Sequence, residues 1–133
     1  MPRKLKLAEA EWEIMEGVWT RGAQVTVREI QDQLYPKAEK AYTTTQTIMN
    51  ILVTKGFLKR KKIGMVNFYT PKISRELAAQ HEARSLASRI FNGSMGAFAT
   101  YLVDSGELSS QELHQLKALV DAKEQEQKSG GPS

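Results

Sequence analysis

The sequence predicts a mainly α-helical chain with one small β-hairpin, and three observations predict it. Apolar residues recur at helical spacing along most of the 133 residues. Capping and stop signals bracket those stretches. One segment, Phe57 to Thr70, instead reads as two strands around Gly64, the second alternating Val66 and Phe68 with Asn67 and Tyr69 at period two.

The first helix is expected over Leu7 to Thr20, where Ile14, Met15, Val18 and Trp19 form an apolar stripe that Trp12 widens. Glu9, Glu11, Glu13 and Glu16 read as a solvated helix start, where the helix dipole favours negative charge. Arg21-Gly22 stops it. Thr26-Val27-Arg28-Glu29 is a capping box opening a second helix, with Val27, Ile30 and Leu34 facing a core and Pro36 ending it. After a polar turn, Lys37 to Lys40, the third helix runs from Tyr42 to Lys55 and stops at Gly56. Its apolar set is Ile48, Met49, Leu52 and Val53, which the methyl of Thr45 can join. Its other face carries Thr43, Thr44, Gln46, Thr47, Asn50 and Thr54. Consecutive threonines have poor helix propensity, so short hydrogen-bonding side chains are placed there at a cost in stability. A cap accounts for one threonine but leaves Gln46, Thr47 and Asn50 unexplained.

The strand Phe57 to Ile63 carries Lys59, Arg60, Lys61 and Lys62, Gly64 turns the chain, and Met65 to Thr70 returns before Pro71. Three further helices follow. Ser74 caps one to about Phe91, closed by Asn92-Gly93; Ser94 caps one with Phe98, Tyr101 and Leu102; Ser109-Ser110-Gln111-Glu112 opens one with Leu113, Leu116, Leu119 and Val120. These last helices are short and amphipathic, with no obvious core of their own, which points to burial against a second copy. The expected domains are therefore 1–73, a winged helix-turn-helix; 74–127, a helical dimerisation domain; and 128–133, a polar disordered tail.

Charge follows the same division. Residues 1–75 have a net charge of +7 and residues 76–133 a net charge of −3, so the front suits a polyanion and the back does something else. Chance unevenness is the bland alternative. There is no cysteine, which excludes disulfides, thiolate nucleophiles and cysteine metal sites and fits a cytoplasmic protein. No apolar run is long enough to insert into a membrane, and the basic start Met1 to Lys6 lacks the apolar region of a signal peptide. His81 and His114 lack paired ligand spacing, the glycines form no phosphate loop, and no nucleophile–base set can be assembled. Neither an enzyme nor a cofactor or metal is expected.

Helix followed by basic hairpin is the sequence pattern of a winged helix that binds double-stranded DNA, with the helix in the major groove and the hairpin against the backbone. Gln46 and Asn50 are the candidates for base edges, because amides pair bidentately with adenine. Thr43, Thr44 and Thr47 suit thymine methyls or phosphates. Lys59, Arg60, Lys61 and Lys62 alternate along their strand, so one face presents half of them; Lys61 and Lys62, nearest the turn, are expected at phosphates. The rival reading is a protein-interaction module that keeps this scaffold without binding DNA.

Glu11-Trp12-Glu13-Ile14-Met15 with Val18-Trp19 resembles the first helix of the penicillinase and methicillin-resistance repressors and the related copper-responsive repressors. The same holds for Tyr42 to Thr47 with Leu52, for Lys55-Gly56-Phe57-Leu58 and for Phe68-Tyr69-Thr70-Pro71. The resemblance covers residues 5–73 and continues more weakly through Phe91, Gly93, Met95 and Glu107-Leu108. It implies a homodimeric repressor on an inverted-repeat operator; the apolar positions of the last helices make Phe98, Tyr101, Leu102, Leu113, Leu116 and Val120 the expected interface residues. In the antibiotic-resistance branch a membrane sensor-protease signals, and the repressor is cut between an asparagine and a phenylalanine. The matching positions here are Tyr101 and Leu102, a departure from that motif. The paired cysteines of the copper branch are absent, so the inducing signal stays open.

Overall fold

The computed structural model describes residues 6–130. Its elements are α1 (Glu9–Arg21), α2 (Val27–Leu34), α3 (Tyr42–Lys55), β1 (Leu58–Ile63), β2 (Val66–Pro71), α4 (Arg75–Ile90), α5 (Met95–Asp104) and α6 (Ser110–Ser129). The predicted class, mainly α with one antiparallel hairpin, is the observed one. Residues 1–5, most of the basic start Met1 to Lys6, lie outside the described residues.

Local chemistry sets the element ends. Gly22 and Gly56 take left-handed conformations that close α1 and α3. The capping box of α2 forms as expected: the Glu29 N–H donates to Thr26 Oγ1 at 3.1 Å, and the Thr26 N–H donates to Glu29 Oε1 at 2.9 Å. In α1 the residue before the helix is Ala8, which has no side-chain oxygen, so only the reverse half exists: the Ala8 N–H donates to Glu11 Oε1 at 2.8 Å. Glu11 corrects the expectation of a solvated helix start. It shares the face of Ile14, Met15 and Val18, is only 8% exposed, and accepts from Lys55 Nζ at 2.6 Å. The first turn of α1 is thereby joined to the last turn of α3.

One core unites α1, α2, α3 and the hairpin. Ile14, Met15 and Val18 meet Val27 and Ile30 from α2, Met49 and Leu52 from α3, and Phe57, Leu58 and Tyr69 from the hairpin. Val25 exchanges backbone hydrogen bonds with Tyr69, at 2.9 and 2.7 Å, and so fastens the chain before α2 to β2. The far end of the hairpin is held to α1 by the Trp19 indole N–H, which donates to the Ile73 carbonyl at 2.9 Å. Arg75 then makes a paired contact with the Glu16 carboxylate, at 2.6 and 3.1 Å. That guanidinium holds the Glu16 carboxyl below its ordinary range.

Compactness divides the chain within α4, between Ser85 and Leu86; the expected boundary at 73 precedes that division. The start of α4 belongs to the first unit because Arg75 contacts Glu16 and Ala78 is buried in the core. In the second unit Phe91 stacks on Phe98 at 5.2 Å and lies 5.7 Å from the Tyr101 ring. No residue of α5 or α6 is buried. The expected tail at 128–133 is corrected in part. Lys128 and Ser129 continue α6, because the run before them consists of good helix formers and Gly130 is the first breaker. Residues 131–133 lie outside the described residues.

Candidate nucleic-acid interface

The orientation of α3 is set by a buried polar link that the sequence reading missed. Thr45 Oγ1 donates to Gln31 Oε1 at 2.6 Å, and Gln31 Nε2 donates to the Lys40 carbonyl at 2.6 Å. Gln31 thus joins α2, the turn and α3 with both ends of its amide used. Replacing Thr45 with valine keeps the shape but leaves Gln31 Oε1 unpaired. It should cost about 1–2 kcal/mol of stability, measured by urea unfolding. Beside this link the Tyr35 hydroxyl donates to Glu13, which Lys40 Nζ approaches at 3.5 Å. Burial, reinforced by Glu13, raises the Tyr35 pKa, so its proton stays in place.

With Thr45, Met49 and Leu52 buried, helical spacing turns Thr43, Thr44, Thr47, Ile51 and Thr54 outward together. All five are exposed. Ile51 is the residue sequence reasoning omitted. Its signal was available, since it lies four residues from Thr47 and three from Thr54, but an isoleucine between apolar neighbours reads as core. Gln46 is half-buried at the edge of this face, beside the hairpin.

Asn50, expected at a base edge, is engaged within the chain. Its Oδ1 accepts from Arg60 Nη1 at 2.7 Å and from the Tyr69 hydroxyl at 2.9 Å. The acceptor an adenine amino group would need is therefore already occupied, and the side chain clamps the hairpin to α3. Burial pushes the Tyr69 hydroxyl up, against a smaller downward pull from Arg60, so it remains a donor to this clamp.

The hairpin register separates its cations. Arg60 pairs with Tyr69 and Lys62 with Asn67, on the face toward α3; Lys59 pairs with Thr70 and Lys61 with Phe68, on the opposite face. Lys61 and Lys62, chosen together from the sequence, therefore point to opposite sides. The inner pair is Arg60 and Lys62. A cleft of about 290 Å³ separates the hairpin tip from α3, lined by Arg28, Tyr42, Gln46, Met65 and Asn67 among others. Arg28 lies 4.6 Å over the Tyr42 ring, a cation in the cleft wall that the sequence reading did not single out.

The residues expected at the dimer interface lie in the second unit. Phe98 is half-buried, while Tyr101, Leu102, Leu113, Leu116 and Val120 are exposed. His81 is half-buried and His114 exposed. Among the described residues no group of three His, Cys, Asp or Glu side chains is placed to hold a metal. None of their helices is long and apolar enough to cross a membrane.

The sequence model of the penicillinase repressor family matches residues 7–122. A 16.5 kDa protein encoded in the ptsI 3′ region of Latilactobacillus sakei is 34% identical over 118 residues, covering 89% of this chain and 80% of that protein. The penicillinase repressor of Bacillus licheniformis is 25% identical over 116 residues, covering 87% and 90%. The methicillin resistance regulatory protein MecI of Staphylococcus aureus strain N315 is 20% identical over 118 residues, covering 89% and 95%. Among solved structures, the monomeric form of Bacillus licheniformis BlaI in complex with the blaP half-operator aligns with a TM-score of 0.47. Its identity is 29%, covering 57% of this chain and 92% of that one. With 7–122 matched from the first helix into the last, the chain belongs to the penicillinase repressor family.

Proposed function

We propose that this chain is a cytoplasmic transcriptional repressor that binds an inverted-repeat DNA operator as a homodimer. The observation that carries DNA binding is the pairing of two surfaces. An exposed helix face of hydroxyls and methyls stands beside a hairpin whose segment 57–72 holds five cations and no carboxylate. Gln46 reads a base edge; Thr43, Thr44, Thr47 and Ile51 meet thymine methyls and phosphates. Arg60 and Lys62 take phosphates on the inner face of the hairpin, with Lys59 and Lys61 adding charge from the outer one. Residues 1–73 form the reading head and 74–127 the dimerisation domain. Dimerisation is supported by α5 and α6, which bury nothing within the chain and expose Tyr101, Leu102, Leu113, Leu116 and Val120.

The test is selection from a random duplex pool. A dimer of reading heads should enrich a pseudo-palindrome whose half-site centres lie about one helical turn, or a small multiple of it, apart. Affinity should fall steeply with salt as counterions are released. A protein that enriches no sequence and binds no duplex at low salt is an interaction module instead.

The clamp gives a sharper expectation. Asn50→Ala frees Arg60 and Tyr69 rather than deleting a base contact, so it should weaken selected and random duplexes alike, by several-fold, in paired titrations. A loss confined to the selected duplex would return Asn50 to the base-reading set.

Release follows from weakening the dimer. A membrane sensor-protease, or a protease it activates, cuts α5 at Tyr101-Leu102. Both side chains are exposed within the chain, but a dimer interface would cover them, so the helix must open locally before cleavage. An immunoblot during induction in the native cell should show full-length protein disappearing as the target promoter turns on. Full-length protein that persists at full promoter activity would exclude cleavage.

A further inference from the structure

The tip of the hairpin is apolar and exposed. β1 and β2 are joined by two residues, Gly64 and Met65, with Ile63 paired to Val66 just behind them. Gly64 supplies the left-handed conformation such a turn needs. The second position of a turn that needs positive φ only at its first accepts any residue, and Met65 stands there with 92% of its surface exposed. Ile63 and Val66 are exposed beside it. Three apolar side chains thus crown a strand of four consecutive cations, Lys59 to Lys62.

We infer that this tip is a wedge that enters the DNA minor groove next to the major groove read by α3 and partly unstacks a base step there. The inference rests on the DNA-binding reading and adds to it a second, shape-dependent source of specificity. Two features on the chain choose this occupant over an apolar protein surface. The tip is continuous with a hairpin of one charge sign, which suits a polyanion and repels most apolar partners with basic rims. The cleft between tip and helix is also placed for a sugar–phosphate strand. Its walls are Gln46 on the reading helix, Met65 on the tip, and Arg28 stacked over Tyr42 between them. The nearest carboxylate contact of Arg28 is long, 4.0 Å to Asp32, so its guanidinium retains donors for a phosphate. A backbone strand lying in that cleft has the major groove on its Gln46 side and the minor groove on its Met65 side. Apolar side chains that enter the minor groove pay for unstacking with contact area and favour flexible pyrimidine–purine steps.

The experiment uses the full chain and the duplex it selects from a random pool. 2-Aminopurine, whose fluorescence rises on unstacking, replaces single adenines through and beyond each half-site. The wild-type protein should brighten one step per half-site, outside the bases protected by α3. Met65→Ser should abolish that signal and lower affinity for the same duplex by roughly tenfold, with the salt dependence unchanged because no charge is lost. Met65→Leu should keep both signal and affinity, which a role in the turn alone would not predict. The wedge is overturned if the wild type binds with every 2-aminopurine position dark. It is equally overturned if Met65→Ser binds as wild type, or changes self-association and not DNA binding. A wild-type protein that selects no duplex fails earlier, at the DNA-binding reading itself, and that failure is visible before any variant is made.

Discussion

Leu113→Asp combined with Leu116→Asp should lower affinity for a duplex carrying two half-sites by about two to four orders of magnitude. Both leucines project from one side of α6, three residues apart, and both are exposed in the chain by itself. Placing carboxylates there would bury charge in the proposed interface without a partner. The magnitude comes from linkage rather than from any lost DNA contact. Two joined reading heads bind the second half-site at an effective concentration set by the dimer, and a monomer forfeits that gain. Affinity for a single half-site should therefore stay unchanged, and sedimentation should report a monomer. An equal loss on one half-site would show that the leucines support the reading head rather than the dimer.

The second expectation separates reading from holding. Gln46→Ala should cost about 1–3 kcal/mol on the selected duplex and little on random DNA, because a base-edge pair is lost. Lys62→Ala should weaken both duplexes about equally and reduce the salt slope by roughly one unit, the signature of one phosphate contact. The inner strand face holds Lys62 and the outer face Lys61, so Lys61→Ala should have the smaller effect of the two. A Gln46 variant that loses as much on random DNA as on the selected duplex would remove glutamine from the base-reading role.

Much of this architecture was legible because its causes are local. The Thr26 capping box, the glycine stops at Gly22 and Gly56, and the apolar spacing within α1, α2 and α3 depend on residues a few positions apart. The family resemblance rested on the same local strings in a fixed order, and the family match extends it from residue 7 to residue 122. Site residues were only partly legible. Asn50 and Gln46 lie four residues apart on one helix, and both are amides. From the sequence they looked equivalent; in the fold, Arg60 and Tyr69 occupy the oxygen of one of them.

By itself, the sequence determined the helices, the single hairpin, the basic front half and the threonine-rich helix that faces outward. Each of these follows from backbone propensity, short-range capping or the period of apolar residues, which need no knowledge of the rest of the chain. Only the tertiary structure decided that Glu11 is buried against Lys55 and that Gln31 and Thr45 lock the turn. It also decided that Arg60 and Tyr69 reach the Asn50 oxygen, that Ile51 joins the exposed face, and that Arg28, Tyr42 and Met65 wall one cleft. The physical reason is distance along the chain. Glu11 and Lys55 are separated by 44 positions, and Asn50 and Tyr69 by 19. Which polar groups meet across such gaps is settled by how the apolar faces of α1, α2, α3 and the hairpin pack, because burial leaves each polar atom only the partners that packing brings within reach.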